Sequence, residues 1–220
     1  MKVVEIFGSI DGEGKRTGQL ATFVRLAGCN LRCGYCDTKY SFDASKAKVM
    51  QPFQIVKECV KIGYHNVTLT GGEPLLTPEA KLLVYMLCDA GFQVNVETNG
   101  SIDLRELIEE RDKYNLDCFY TVDYKCISSL MNDKMNINSF NCLSYDKDIV
   151  KCVVSNQEDM DNALKYLDSI DNKFNIWFSP VFGAIEPKDI VEYIKKYKRQ
   201  DVTVQVQLHK IIWDPELRGV

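Results

Sequence analysis

Three thiols, Cys29, Cys33 and Cys36, fall within the ten residues CNLRCGYCDT. Their spacing is C-x3-C-x2-C with no fourth cysteine close behind, and the chain's two histidines, His65 and His209, lie far off in sequence. Thiolates select zinc, copper(I) or iron–sulfur clusters. A structural zinc site closes with four ligands, usually spaced as two pairs. The trio fits a 4Fe–4S cluster better: three irons take cysteine and the fourth keeps a coordination position open. Gly28 and Gly34 beside the trio permit the close backbone approach that a bulky cluster needs. On spacing alone, zinc and unligated thiols stand as alternatives.

Other polar groups recur where apolar runs end. Thr70-Gly71-Gly72-Glu73-Pro74 follows VTL, Glu97-Thr98-Asn99-Gly100 follows VNV, and Asp123-Tyr124-Lys125 follows FYTV. Adjacent glycines let a backbone approach a ligand, and a nearby carboxylate can take an ammonium group. Taken alone, each of these is equally an ordinary polar strand end or turn.

These groups need a scaffold that brings strand ends together. Seven β-rich segments, Ala21–Leu26, Val67–Thr70, Phe92–Glu97, Phe119–Asp123, Ile149–Val154, Phe174–Phe178 and Val202–Leu208, alternate with helical stretches. The helices are expected at Pro52–Ile62, Pro78–Ala90, Asp103–Lys113, Gln157–Ile170 and Pro187–Lys198, with Phe53, Val56 and Val60 on one face of the first. Such alternation implies repeated βαβ units and a parallel sheet. With about six parallel strands, too few to close an eight-stranded barrel, the expected fold is α/β: a partial, open TIM-like barrel with outer helices. Either this or a doubly wound sheet gathers ligands at the C-terminal ends of the strands. Residues 126–147 show no period and read as an irregular connection. No Ser/Gly linker divides the chain, so residues 1–220 are expected to form a single domain.

Composition narrows the function class. The 220 residues are 45% hydrophobic and 26% charged, as in ordinary globular proteins. A net charge of −4 offers no long-range pull on nucleic acid or anionic membrane, and neither is an expected partner. No signal-peptide pattern opens the sequence and no apolar run is long enough for a membrane span. Nine cysteines, six of them dispersed among apolar residues, suit a reducing cytoplasm in which those six are small buried hydrophobes.

The C-x3-C-x2-C spacing with Tyr35 before the last cysteine, followed about 35 residues later by Gly71-Gly72-Glu73-Pro74, resembles the signature of the radical S-adenosylmethionine (SAM) enzymes. With IFGSIDGEG before ATFVRLAGCNLRC and QLHKIIWDPELRGV at the end, the whole pattern is similar to the 7-carboxy-7-deazaguanine synthase family. The resemblance implies a 4Fe–4S cluster on Cys29, Cys33 and Cys36, SAM at its open iron, and Mg²⁺ on the hydroxyl of Thr38. It implies ring contraction of 6-carboxy-5,6,7,8-tetrahydropterin to 7-carboxy-7-deazaguanine with loss of ammonia, in queuosine or other deazapurine biosynthesis. Cofactor contacts are expected from Tyr35, Cys36, Asp37, Gly72, Glu73, Glu97, Asn99, Asp123, Tyr124 and Lys125. Substrate contacts are expected from Ile10, Asp11, Gly12, Glu13, Arg25, Thr70, His209 and Val220, the last through a terminal carboxylate tucked into the site. An electron donor such as flavodoxin or ferredoxin and a homodimer are implied as well.

Two other readings compete. A glycyl-radical-activating enzyme of the same superfamily shares the cysteine spacing, but needs an open groove for a polypeptide. A non-catalytic iron–sulfur or zinc-binding module would explain the cysteines without the GGEP motif.

Overall fold

The computed structural model describes all 220 residues. Strand β1 (Lys2–Ile10) runs antiparallel to β2 (Leu20–Leu26), and the two-residue β3 (Lys48–Val49) extends that edge against β1. From β2 onward every strand adds parallel to the last: β4 (Asn66–Gly71), β5 (Gln93–Thr98), β6 (Cys118–Tyr124), β7 (Ile149–Val154), β8 (Ile176–Pro180) and β9 (Val202–Val204). The sheet order is β3-β1-β2-β4-β5-β6-β7-β8-β9. Its edge strands do not pair with each other, so the barrel is open, as the strand count implies. Sequence patterning anticipates the parallel strands but not β1 or β3. It also carries the last strand to Leu208, whereas β9 ends at Val204 and the chain turns into a short helix.

The connecting helices are α1 (Pro52–Ile62), α2 (Ala80–Asp89), α3 (Arg105–Lys113), α4 (Ile137–Asn141), α5 (Gln157–Asp168), α6 (Pro187–Lys196) and α7 (Leu208–Ile212). Local chemistry sets their ends. Helix α1 starts at Pro52 behind a reciprocal Gln51–Gln54 capping box and stops at Gly63, whose φ is 82°. Asn156 caps α5 by accepting from the Asp159 amide at 3.0 Å. The stripe that α1 turns inward is Ile55 and Cys59, both fully buried, while Phe53 and Val60 are exposed. Of the apolar residues on this helix, Ile55 and Cys59 enter the core and Val56 packs against its margin.

Period-two alternation divides each parallel strand between two environments. Val67, Leu69, Val94, Val96, Tyr120, Val122, Val150 and Cys152 belong to the buried apolar core. The alternate positions carry Thr68, Thr70, Asn95, Glu97, Thr121, Asp123 and Lys151, and this set is polar. Thr121 donates to the Asn95 amide oxygen at 2.9 Å within it. The barrel interior is therefore lined with groups able to meet a polar ligand.

The loop between β1 and β2 closes the N-terminal end of this interior. Arg16, 4% exposed, donates from Nη1 to the carbonyl of Gln93 at 2.9 Å and from Nη2 to that of Val67 at 3.1 Å, at the first turns of β5 and β4. Its Nε donates to Asp11 at 2.8 Å, and Thr68 donates to the other Asp11 oxygen at 2.8 Å.

Candidate active site

The cysteine loop leaves the C-terminal end of β2 and lies across the opposite mouth of the barrel from the Arg16 loop. Between them is a cavity of about 590 Å³, within the usual range for small-ligand sites. Cys29, Cys33 and Cys36 all line it and all are free thiols. No three His, Cys, Asp or Glu side chains are gathered as ligands of a single ion. Three thiols on one cavity wall are a donor set that a cluster with separate irons could use, one thiolate to each of three irons.

Hydrogen-bond donors already face the sulfurs. The Leu31 amide donates to Cys29 Sγ at 3.4 Å and the Asn99 side chain at 3.7 Å, while the Thr38 hydroxyl lies 3.7 Å from Cys36 Sγ. Such contacts set the reduction potential of a thiolate-bound cluster. Burial pushes the Cys33 thiol up, and the nearby Lys125 ammonium works against this.

The GGEP turn packs against the cysteine loop. The Gly72 amide donates to Leu26 O at 3.0 Å and the Glu73 amide to Gly28 O at 2.8 Å. A methyl group on Gly72 would overlap the Gly28 carbonyl, so only glycine permits the approach. Gly72 lines the cavity; Glu73 does not. Its carboxylate, 1% exposed, accepts from the Leu75 amide at 3.0 Å, the Thr98 hydroxyl at 2.8 Å and the Asn99 amide at 2.6 Å. Glu73 thus ties the GGEP turn to the end of β5. Its carboxylate is directed to these three donors, while the adjoining Gly72 lines the cavity. Burial raises its pKa to about 7 against those three bonds.

Tyr124 also lies outside the cavity. It follows the inward Asp123 on β6, so alternation turns it outward, where it stacks with Phe140 and Tyr166 and donates to Asn162 at 2.9 Å. The other expected residues, Ile10 to Glu13, Arg25, Tyr35 to Thr38, Thr70, Glu97, Asn99, Asp123, Lys125, His209 and Val220, all line the one cavity.

Not all of them offer a free side chain. Asp11 is spent on Arg16 and Thr68 and shapes its loop. Arg25 bonds Glu5 through Nε at 2.7 Å, which leaves its terminal nitrogens to reach a ligand. Tyr35 donates to Val153 O at 3.2 Å. Thr70 donates to Glu97 at 3.1 Å. His209 stands against Gly12, where any larger residue would collide with its Nδ1. Burial lowers its pKa, so the imidazole is neutral at pH 7, and Glu13 opposes this only partly.

Several lining residues are not singled out by sequence patterning. Phe7 and Phe23, paired across the β1–β2 ladder, stack at 5.1 Å and 10° to form a flat apolar wall. The Arg218 guanidinium sits 3.9 Å over the Tyr40 ring, and Lys210 bonds Asp37 at 3.1 Å. Both contacts fasten the C-terminal segment onto the loop that follows the cysteines. Lys151 is a lone charge in the apolar strand IVKCVV, and that oddity was the available signal. Burial would lower its pKa, yet Asp123, Glu13 and Glu97 around it drive it well above the usual lysine value. Burial would raise the Asp123 carboxyl, but Lys125 at 2.6 Å and Lys151 at 3.4 Å hold it down.

Residues 24–140 match the radical SAM superfamily model. The chain is 43% identical to a 7-carboxy-7-deazaguanine synthase of Clostridium acetobutylicum, over 100% of this chain and 99% of that protein. It is 37% identical to one from Methanospirillum hungatei, over 98% of this chain and 86% of the other. The chain belongs to the 7-carboxy-7-deazaguanine synthase family of radical SAM enzymes. The crystal structure of QueE from Escherichia coli superposes with a TM-score of 0.70 at 20% identity, covering 93% of each chain, and shows the same fold. As a member of the 7-carboxy-7-deazaguanine synthase family, this chain is a radical SAM carbon–nitrogen lyase of 7-deazapurine biosynthesis.

Proposed function

We propose that this cavity converts 6-carboxy-5,6,7,8-tetrahydropterin to 7-carboxy-7-deazaguanine with loss of ammonia. One observation carries the reading: a single enclosed space joins the three cysteines at one end to Gly12, Glu13 and His209 at the other. Cys29, Cys33 and Cys36 would hold a 4Fe–4S cluster. The GGEP backbone, Glu97, Asn99, Asp123 and Lys125 would hold SAM, and Thr38 one face of a Mg²⁺ ion otherwise coordinated by substrate and water. When bound, cluster and SAM supply the radical that opens the reaction.

The chain's own residues bind and orient. The Phe7–Phe23 wall offers a flat surface to a fused ring. Arg25, its Nη atoms unspent, pairs a carboxylate bidentately. Glu13 presents a carboxylate to N–H groups, and the neutral His209 can donate or accept beside it. Residues 215–220 line the same cavity, which suits a small substrate better than a polypeptide. The single domain, operating in a reducing cytoplasm as a homodimer, would draw electrons from a flavodoxin or ferredoxin.

Anaerobic purification followed by iron and sulfide analysis, then turnover with SAM, Mg²⁺, reductant and the pterin, tests the reading. The wild type should carry the cluster and release ammonia and 7-carboxy-7-deazaguanine. Cys33→Ala should lose both cluster and turnover. A cluster-bearing wild type that cleaves SAM yet leaves the pterin unchanged would sink the substrate assignment.

A further inference from the structure

The four carboxylates facing the barrel interior, Asp11, Glu13, Glu97 and Asp123, come from the β1–β2 loop and from strands β5 and β6. Asp11 is neutralised by Arg16 and Asp123 by Lys125 at 2.6 Å. Glu13 and Glu97 have no arginine, and the cation they share is Lys151. Its Nζ lies 3.3 Å from Glu13 and 3.4 Å from Asp123, with only 9% of the side chain exposed. Glu13 is otherwise gripped through one oxygen, by the Ser179 hydroxyl at 2.8 Å and the Gln205 amide at 3.5 Å. Gln205 in turn accepts from the Gly14 amide at 2.8 Å. Lys151 therefore sits at the junction of the substrate loop, β5, β6 and β8.

We propose that Lys151 is a positioning residue for the pterin: its ammonium, shared between Glu13 and Asp123, balances the carboxylates on that side of the cavity and holds Glu13 facing the substrate. The proposal rests on the pterin reading of this cavity. Its physical basis is the cost of placing carboxylates side by side out of water. Each disfavours ionisation of the next, and a buried cation reverses this. Burial raises the Glu97 carboxyl, Glu13, Asp11 and Asp123 push it further, and Lys151 is the chief group opposing them. The remaining charged or titratable groups facing Lys151 are Lys125, His209 and Asp37. Lys125 is committed to Asp123, and His209 is neutral at pH 7. Neither replaces the lost charge.

Without Lys151, the Glu97 carboxyl, already raised by burial, loses the chief charge favouring its ionised form and takes up a proton more readily. A protonated carboxyl donates where the pterin N–H edge also donates, and binding suffers. The sign follows: the variant's carboxyl is protonated below its raised pKa, and raising the pH restores the binding-competent form.

Lys151→Met removes the charge at nearly constant volume, and Lys151→Arg restores it. In the Met variant the KM for the pterin should rise about 10- to 100-fold at pH 7 and return toward the wild-type value by about pH 9. The wild type and Lys151→Arg should show no such slope. In the substrate-free protein, Lys151→Met should gain the infrared carbonyl band of a protonated carboxylic acid at pH 7, lost on raising the pH. An unchanged carboxyl band, or a KM defect that ignores pH, overturns the proposal. If the wild type does not turn over the pterin, the functional reading fails instead, and the infrared comparison still decides the role of Lys151.

Discussion

Glu73 shows how far residue-level reasoning reaches. Its place in GGEP marks it for the site, and the motif does pack on the cysteine loop. Strand alternation and hydrogen-bond demand then decide what the side chain does, and neither can be read from the motif. Tyr124 turns outward for the same reason: Asp123 and Tyr124 are neighbours on one strand and cannot both face inward. Lys151 was missed, although a charge inside an apolar strand marked its position. The buried Glu73 makes a pH prediction. Its folded-state pKa, about 7, lies above the ordinary carboxyl value, so it stabilises the fold most below about pH 4.5. That contribution is lost as pH rises through 7, and its size is on the order of 3 kcal/mol. Thermal midpoints between pH 5 and 8 should fall with pH in the wild type more steeply than in Glu73→Gln, which cannot ionise. Parallel slopes in the two proteins would show that Glu73 titrates normally.

At the scale of elements, the parallel strands were legible because each is a short β-rich run between helical periods. Strand β1 was not, since KVVEIFGSI mixes Glu5 and Gly8 into its apolar run and pairs antiparallel through a long loop instead of a hairpin turn. The end of β9 was misplaced because Val202–Leu208 alternates apolar and polar residues like a strand, yet after Gln205 reaches Phe178 O at 2.9 Å no further partner strand exists. The segment that follows packs along the cavity rim. It is held by Leu208 N to Gly12 O at 3.0 Å, Lys210 to Asp37, and Arg218 on Tyr40. The last of these is a cation–π contact, which contributes about 0.5–2 kcal/mol. Arg218→Gln should therefore weaken pterin binding by about 2- to 30-fold while leaving iron content unchanged. Calorimetric titration of the cluster-loaded protein reads this directly. An undiminished affinity would mean that Arg218 merely decorates the rim.

For the whole molecule, the open barrel poses a problem that its sequence solves with one loop. A barrel that fails to close exposes a polar interior at both mouths, and the N-terminal mouth here is stopped by residues 11–19. Arg16 is the pin, buried to 4% with Asp11 equally hidden. Such pairs add little over an apolar replacement of both partners, but removal of one strands a charge, at a cost of about 3–5 kcal/mol. Burial already raises the Asp11 carboxyl, and Arg16 is the main influence holding it back. Arg16→Met should thus be strongly destabilised at pH 7 and progressively less so as the pH is lowered and Asp11 takes a proton: a raised carboxyl pKa favours the folded state on the acid side. Adding Asp11→Asn to Arg16→Met should recover most of the loss, because the stranded charge is gone. Denaturant midpoints for the two single variants and the double variant complete the cycle. Simple additivity would show that the floor loop is held by its backbone and that the buried pair is incidental. Strong coupling would show that the site's floor depends on one ion pair, and that the substrate loop bearing Gly12 and Glu13 is kept in place from below.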